Sequence, residues 1–140
     1  MRVLATGVFD IIHPGHIFFL ESAKKLGDEL VVIVSRDRIA KRIKKHTVMP
    51  ELQRLEVVKA LKPVDYAFLG DEENIFKLLP EIRPDVIALG FDQDIDEAWL
   101  AEQCYKLGLQ TKVVRIRHQL DGDFCSTTKI KQKIKKSKGT

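Results

Sequence analysis

The chain is poor in cysteine: Cys104 and Cys125 are the only two among 140 residues. They form neither a disulfide framework nor a zinc spacing, so a reducing, cytoplasmic setting is expected. No apolar run approaches the roughly 20 residues needed to span a bilayer. Met1 to Ala5 leads into a strand pattern with no apolar signal core, so no secretory signal is expected. Aromatics make up only 7% of the chain. With no RNP, KH or zinc signature, that scarcity argues against a basic RNA-binding module.

A pI near 9.1 nonetheless raises the question of a polyanionic partner. The net charge of +4 is unevenly spread. Arg36 to His46 holds six Lys/Arg against one acid, Asp37, and Lys129 to Thr140 holds six Lys against none. With those runs set aside, 12 bases and 19 acids remain, so an acidic body carries two local basic segments. An apolar content of 44% with 31% charged residues is ordinary for a folded domain. A single domain over residues 1–140 is expected, with about 137–140 as a frayed tail.

Short β-rich runs alternate with helical patterns, which predicts a doubly wound α/β fold on a parallel five-stranded sheet. Strands are expected at Val3 to Phe9, Leu30 to Ser35, Tyr66 to Leu69, Val86 to Leu89 and Lys112 to Ile116. Leu30 to Ser35 is continuously apolar to its last residue, as a central parallel strand requires. A first helix from about Pro14 to Leu26 has Pro at its start and Gly27 past its end. Pro50 opens another to about Leu61, with Leu52, Leu55, Val58 and Leu61 as its inner face. Further helices are expected near Ile75–Leu79 and Glu97–Leu107. Ser126 caps a last one through about Lys136.

The most informative segment is Gly7-Val8-Phe9-Asp10-Ile11-Ile12-His13-Pro14-Gly15-His16. It turns from a first strand into a helix at the carboxyl edge of the sheet, where open α/β sheets bind ligands. His13 and His16, three apart, can point the same way. Gly15 permits close approach, and the free amides and dipole of the helix start favour an anion. Such a site suits a phosphate on which charge builds during transfer. The alternatives are a turn whose histidines are merely solvated or capping, and a zinc pair, which lacks a third ligand nearby.

Gly7-Val8-Phe9-Asp10 with His13-Pro14-Gly15-His16 resembles the GxFD…HxGH signature of the cytidylyltransferase-like nucleotidyltransferases. Cys125-Ser126-Thr127-Thr128 resembles the ISTT-type segment before their last helix. The resemblance covers essentially the whole chain and implies a Rossmann-like, HIGH-type nucleotidyltransferase fold. It implies that Val8 and Phe9 lie along the nucleotide through backbone contacts, with Pro14 and Gly15 beside it. His13 and His16 would stabilise the phosphates and the pentavalent transition state. Ser126, Thr127 and Thr128 would bind phosphate. A divalent cation (Mg²⁺ or similar) bridging the triphosphate is expected on charge grounds, with no fixed protein metal site. A homodimer with no nucleic acid or membrane partner is implied as well.

Gly90-Phe91-Asp92-Gln93 follows the fourth strand, and Asp92 is a candidate for a ribose hydroxyl or an adenine-side amine; the alternative is a helix-capping Asp. The segment resembles that of archaeal-type FAD synthases, which use ATP and FMN. The alternative is a glycerol-3-phosphate cytidylyltransferase or another cytidylyltransferase using CTP on a phosphate acceptor. Those enzymes read R-T-x-G-I-S-T-T where this chain has Asp121-Gly122-Asp123-Phe124-Cys125-Ser126-Thr127-Thr128, an acid in place of the Arg. That substitution favours ATP and FMN.

Asp10, Lys41, Lys44, Lys45 and Arg54 are candidate phosphate or acceptor contacts. Most charges in such a run are solvated, and Arg54 has an ion pair with Glu51 or Glu56 as its alternative. Cys125, beside the phosphate segment, is either a redox-sensitive thiol or an inert small residue. Cys104 and Trp99 read as helix packing, and His46 and His118 as surface residues.

Overall fold

The computed structural model describes residues 1–43 and 46–117. The phosphate segment Ser126 to Thr128, Cys125, the expected last helix, the tail, His118, Lys44 and Lys45 lie outside those residues. Five strands form one all-parallel sheet: β1 Arg2–Gly7, β2 Glu29–Val34, β3 Tyr66–Leu69, β4 Val86–Leu89 and β5 Lys112–Arg115. The spatial order is β3-β2-β1-β4-β5. The chain therefore winds outward from β1 to β3, then crosses to β4 on the other side of β1. The carboxyl ends of β1 and β4 flank the switch point, where the crevice of a doubly wound sheet opens.

Side chains alternate across the sheet and feed two layers. Val3, Ala5, Leu30, Val32, Val34, Val86 and Ala88 pack with Leu20 and Ala23 of α1 (Pro14–Lys24) and Val58 of α3 (Glu51–Lys59). Leu4, Val31, Ile33, Ile87 and Leu89 pack on the opposite face with Leu79 of α4 (Leu79–Ile82) and Leu100 and Cys104 of α5 (Glu97–Lys106). β1 and β2 are buried on both faces along most of their length, hence the apolar runs Val3-Leu4-Ala5 and Leu30 to Val34; Thr6 is the buried polar exception in β1. No helix among the described residues is long and apolar enough to cross a membrane.

Local differences from the expected elements have identifiable causes. β1 stops at Gly7 because Phe9 adopts φ 51, which no strand tolerates. The basic stretch contains a short helix, α2 (Asp37–Arg42), whose buried face is only Ile39 and Ala40. The helix expected near Ile75 begins at Leu79. Before it, the Asp71 carboxylate accepts the Glu73 and Asn74 amides and Asn74 accepts that of Phe76, which holds this stretch in turns. Leu52, expected inside, is 65% exposed, whereas Arg54 is fully buried. At about 100° per residue, Leu52 stands roughly 120° around α3 from Val58 and Arg54 only about 40°.

Candidate active site

The turn after β1 is shaped by two residues that depend on each other. Phe9 folds its ring back over the end of the strand, and a Cβ on Gly7 would lie 2.9 Å from its Cε2. Phe9 holds a left-handed backbone conformation while only 4% exposed. That conformation costs a non-glycine residue about 1 kcal/mol or more and is sustained by the packing around it. Its ring also contacts His16, with centroids 5.6 Å apart.

His13 is the N-cap of α1 and Pro14 opens the helix. The Nδ1 of His13 accepts the Gly15 amide at 3.0 Å, and the His13 amide donates to Nδ1 of His16 at 3.4 Å. Both Nδ1 atoms are therefore acceptors, which places the proton of each neutral ring on Nε2. The rings stack with centroids 3.8 Å apart and planes 29° apart, so both Nε2–H groups belong to one small surface. Burial lowers the His13 pKa below its ordinary 6.5, against an opposing effect of the Asp92 charge. Burial thus favours the neutral form of His13. The first-turn amides expected to face an anion are used internally: Gly15 donates to the His13 ring and His16 to the His13 carbonyl. The imidazoles are the donors this helix start presents.

Asp10 and Arg54 occupy different places from those expected of phosphate contacts. Asp10 is 5% exposed, and its carboxylate accepts the amides of Val48 and Met49 at 2.8 and 2.9 Å. It fastens the segment before α3 to the turn after β1. Arg54 donates to the carbonyls of Val8, Ser35 and Met49 and to the Asp37 carboxylate. A fully buried guanidinium with these four bonds is a strut beneath the site rather than a hand reaching into it, because an incoming phosphate has no path to it. Nor does Arg54 pair with Glu51 or Glu56. Glu51 instead binds Arg36 and the Asp37 amide, and Asp37 returns a bond to the Glu51 amide. The starts of α2 and α3 are thereby locked together beside the carboxyl ends of β1 and β2.

Three arginines of the first basic run are committed to structure. Arg36 joins Glu51 and the Gly70 carbonyl, while Arg38 and Arg42 both reach Glu73. Lys41 is exposed in the last turn of α2. His46 is exposed, as expected of a surface residue.

Across the switch point lies the loop from Gly90 to Ile95. Gln93 accepts the Gly90 amide at 2.7 Å and donates to the Thr6 carbonyl of β1 at 3.0 Å. Arg115, at the end of β5, donates to the carbonyls of Gly90, Gln93 and Ile95 and to Glu97. Asp92 is exposed on this loop and its charge reaches His13. The residue that caps α5 is Asp96, through the amides of Ala98 and Trp99, so capping does not account for Asp92. The thiol of Cys104 is fully buried on α5 and its pKa is pushed up by burial. Trp99 is half-exposed and meets Phe76 edge-on, away from the histidines.

Val8, Phe9, Asp10, His13, Pro14, Gly15 and His16 lie in and beside one turn, which Arg54 braces from below, and Asp92 stands on the loop after β4. Lys41 is not tied into this group by any described contact. Arg115 and Gln93 were not foreseen as organisers of the site. The available signal was an arginine inside the otherwise apolar stretch Val113-Val114-Arg115-Ile116.

Comparison with known proteins identifies the family and the fold. The cytidylyltransferase-like family profile matches residues 4–133. The FAD synthase of Ferroglobus placidus is 59% identical over 133 residues, covering 95% of this chain and 87% of the relative. That of Archaeoglobus profundus is 58% identical, covering 96% and 86%. Among solved structures, a Thermoplasma volcanium protein described as a lipopolysaccharide core biosynthesis protein is 50% identical. It superposes with a TM-score of 0.83 and covers 86% of this chain and 98% of its own.

Proposed function

Because the chain belongs to the cytidylyltransferase-like family, we infer that it acts as an FAD synthase. It transfers AMP from ATP to the phosphate of FMN, giving FAD and pyrophosphate. A phosphate oxygen of FMN attacks the α-phosphorus of ATP in line. The bond from that phosphorus to the pyrophosphate bridge breaks on the opposite side. The observation that carries this reading is the stacked His13–His16 pair with both Nδ1 atoms occupied as acceptors. Two Nε2–H donors aimed from one surface suit non-bridging phosphate oxygens, on which charge builds in the pentavalent transition state.

No general base is needed, since a phosphate monoester is already ionised near neutral pH, with a second pKa of about 6. Among the described residues no group of three or more His, Cys, Asp or Glu is arranged to hold a metal. Asp10, the nearest carboxylate in the turn, is engaged with backbone amides. This donor set fits a divalent cation carried by the triphosphate, where it would neutralise phosphate charge. In this reading Ser126, Thr127 and Thr128 hold phosphate, Lys41, Lys44 and Lys45 supply flanking positive charge, and Asp92 holds a ribose hydroxyl or the adenine amine. A cytoplasmic homodimer belongs to the same reading, by family resemblance.

The test is to incubate the pure protein with Mg²⁺, ATP or CTP, and FMN or glycerol 3-phosphate, and to resolve the products. FAD from ATP and FMN alone supports the assignment. CDP-glycerol as the main product moves the chain to a cytidylyltransferase, and no product from any pair removes both.

A further inference from the structure

The loop from Gly90 to Ile95 is held more tightly than an ordinary surface loop, yet it exposes a large apolar side chain. Its amide at Gly90 is bound by the Gln93 side chain, and its carbonyls at Gly90, Gln93 and Ile95 are all bound by Arg115. The Gln93 amide donates to the Gly90 carbonyl and the Ile95 amide to the Gln93 carbonyl. Gln93 further ties the loop to β1 through the Thr6 carbonyl. Within this frame Phe91 is 46% exposed and belongs to neither apolar layer of the core.

The loop follows the carboxyl end of β4, next to β1 in the sheet, and its bond to the Thr6 carbonyl sets it one residue from the end of β1, so Phe91 lies on the segment that borders the crevice opposite the His13–His16 turn. An aromatic face costs little conformational entropy to present once its loop is fixed, and it attracts a flat π-system without needing hydrogen bonds. Both substrates of the inferred reaction carry one.

We propose that Phe91 is the platform on which a planar heteroaromatic ring of a substrate stacks, and that Arg115 is the positioning residue that holds the platform. The ring is the isoalloxazine of FMN or the adenine of ATP. This rests on the FAD synthase reading, which supplies those two rings.

The test measures kcat and the two KM values separately for the wild type, Phe91→Ala, Phe91→Tyr and Arg115→Lys. FMN binding without turnover is read in parallel from quenching of flavin fluorescence, and ATP binding by calorimetry. Phe91→Ala raises the KM and weakens the binding of one substrate about tenfold, the low end for loss of a ring stack, with kcat nearly unchanged. Phe91→Tyr restores it. A shift in the FMN arm identifies isoalloxazine, and a shift in the ATP arm adenine. Arg115→Lys, which keeps the charge but loses the fork, produces the same shift alone and adds nothing in the Phe91→Ala background. If Phe91→Ala leaves both substrates' binding unchanged, or lowers kcat alone, the platform is refuted. If Arg115→Lys shifts binding equally in both backgrounds, its positioning role is refuted. A wild type that makes no FAD defeats the parent reading, while the binding arms still judge the platform.

Discussion

Nη1 of Arg54 lies 2.6 Å from the carbonyl oxygen of Val8 and 2.7 Å from that of Ser35, joining the ends of β1 and β2 through one buried guanidinium. The neighbouring bonds to Met49 and Asp37 extend the strut to the segment before α3 and to the start of α2. Parts of the candidate site far apart in sequence thus share a single support.

Arg54→Met should therefore destabilise the protein by about 3–5 kcal/mol, since it leaves buried carbonyls without donors and Asp37 without its cation. Denaturant unfolding measures this. A loss below about 1 kcal/mol would show that the strut is dispensable.

Gly7→Ala should lower both stability and turnover, because the new Cβ meets the Phe9 ring 2.9 Å away at a residue already holding φ 51. The expected cost is about 1–3 kcal/mol, the range for overpacking a closed site. Thermal unfolding and steady-state rates check it together. The paired substitution Gly7→Ala with Phe9→Leu should recover part of the stability lost in Gly7→Ala alone.

The tautomers assigned to His13 and His16 separate two kinds of substitution. His16→Gln can return a donor near the Nε2 position, whereas His16→Ala cannot. We expect His16→Ala to lower kcat by about 10²–10³-fold, the scale for removing one transition-state donor, and His16→Gln to lose clearly less. Equal losses would remove the Nε2–H assignment.

The pH dependence follows from His13. Its folded pKa lies below the ordinary 6.5 because burial disfavours the cation. Above that value both folded and unfolded forms are neutral there, and the group leaves stability unchanged. As pH falls through 6.5 the unfolded chain takes up the proton first, so stability declines until the folded pKa is also passed. NMR titration of the His13 ring should show a midpoint below 6.5. In His13→Gln the decline in stability across this window should shrink, and an unchanged decline would assign it elsewhere.

Much of this architecture is legible from residue patterns because burial on both faces leaves the cores of β1, β2 and β4 little choice but Val, Ile, Leu and Ala, with Thr6 the buried exception in β1. The HxGH turn is legible for a different reason: its glycine, its ring and its histidines each meet a local steric or hydrogen-bonding demand. What escaped was long-range. Arg54 and Arg115 look like surface cations by type, and only the folded chain shows the carbonyls that collect around them. Leu52 misled for the complementary reason, as an apolar residue on the outer side of α3. α2 buries only Ile39 and Ala40, too narrow a stripe to stand out among six basic residues.

The most direct test of the central claim is product analysis with ATP and FMN in the presence of Mg²⁺, for the wild type beside His13→Ala. The account predicts FAD and pyrophosphate in equal amounts from the wild type, and a rate at least about 10²-fold lower from the variant. An undiminished rate in His13→Ala, or no FAD from the wild type, would contradict it.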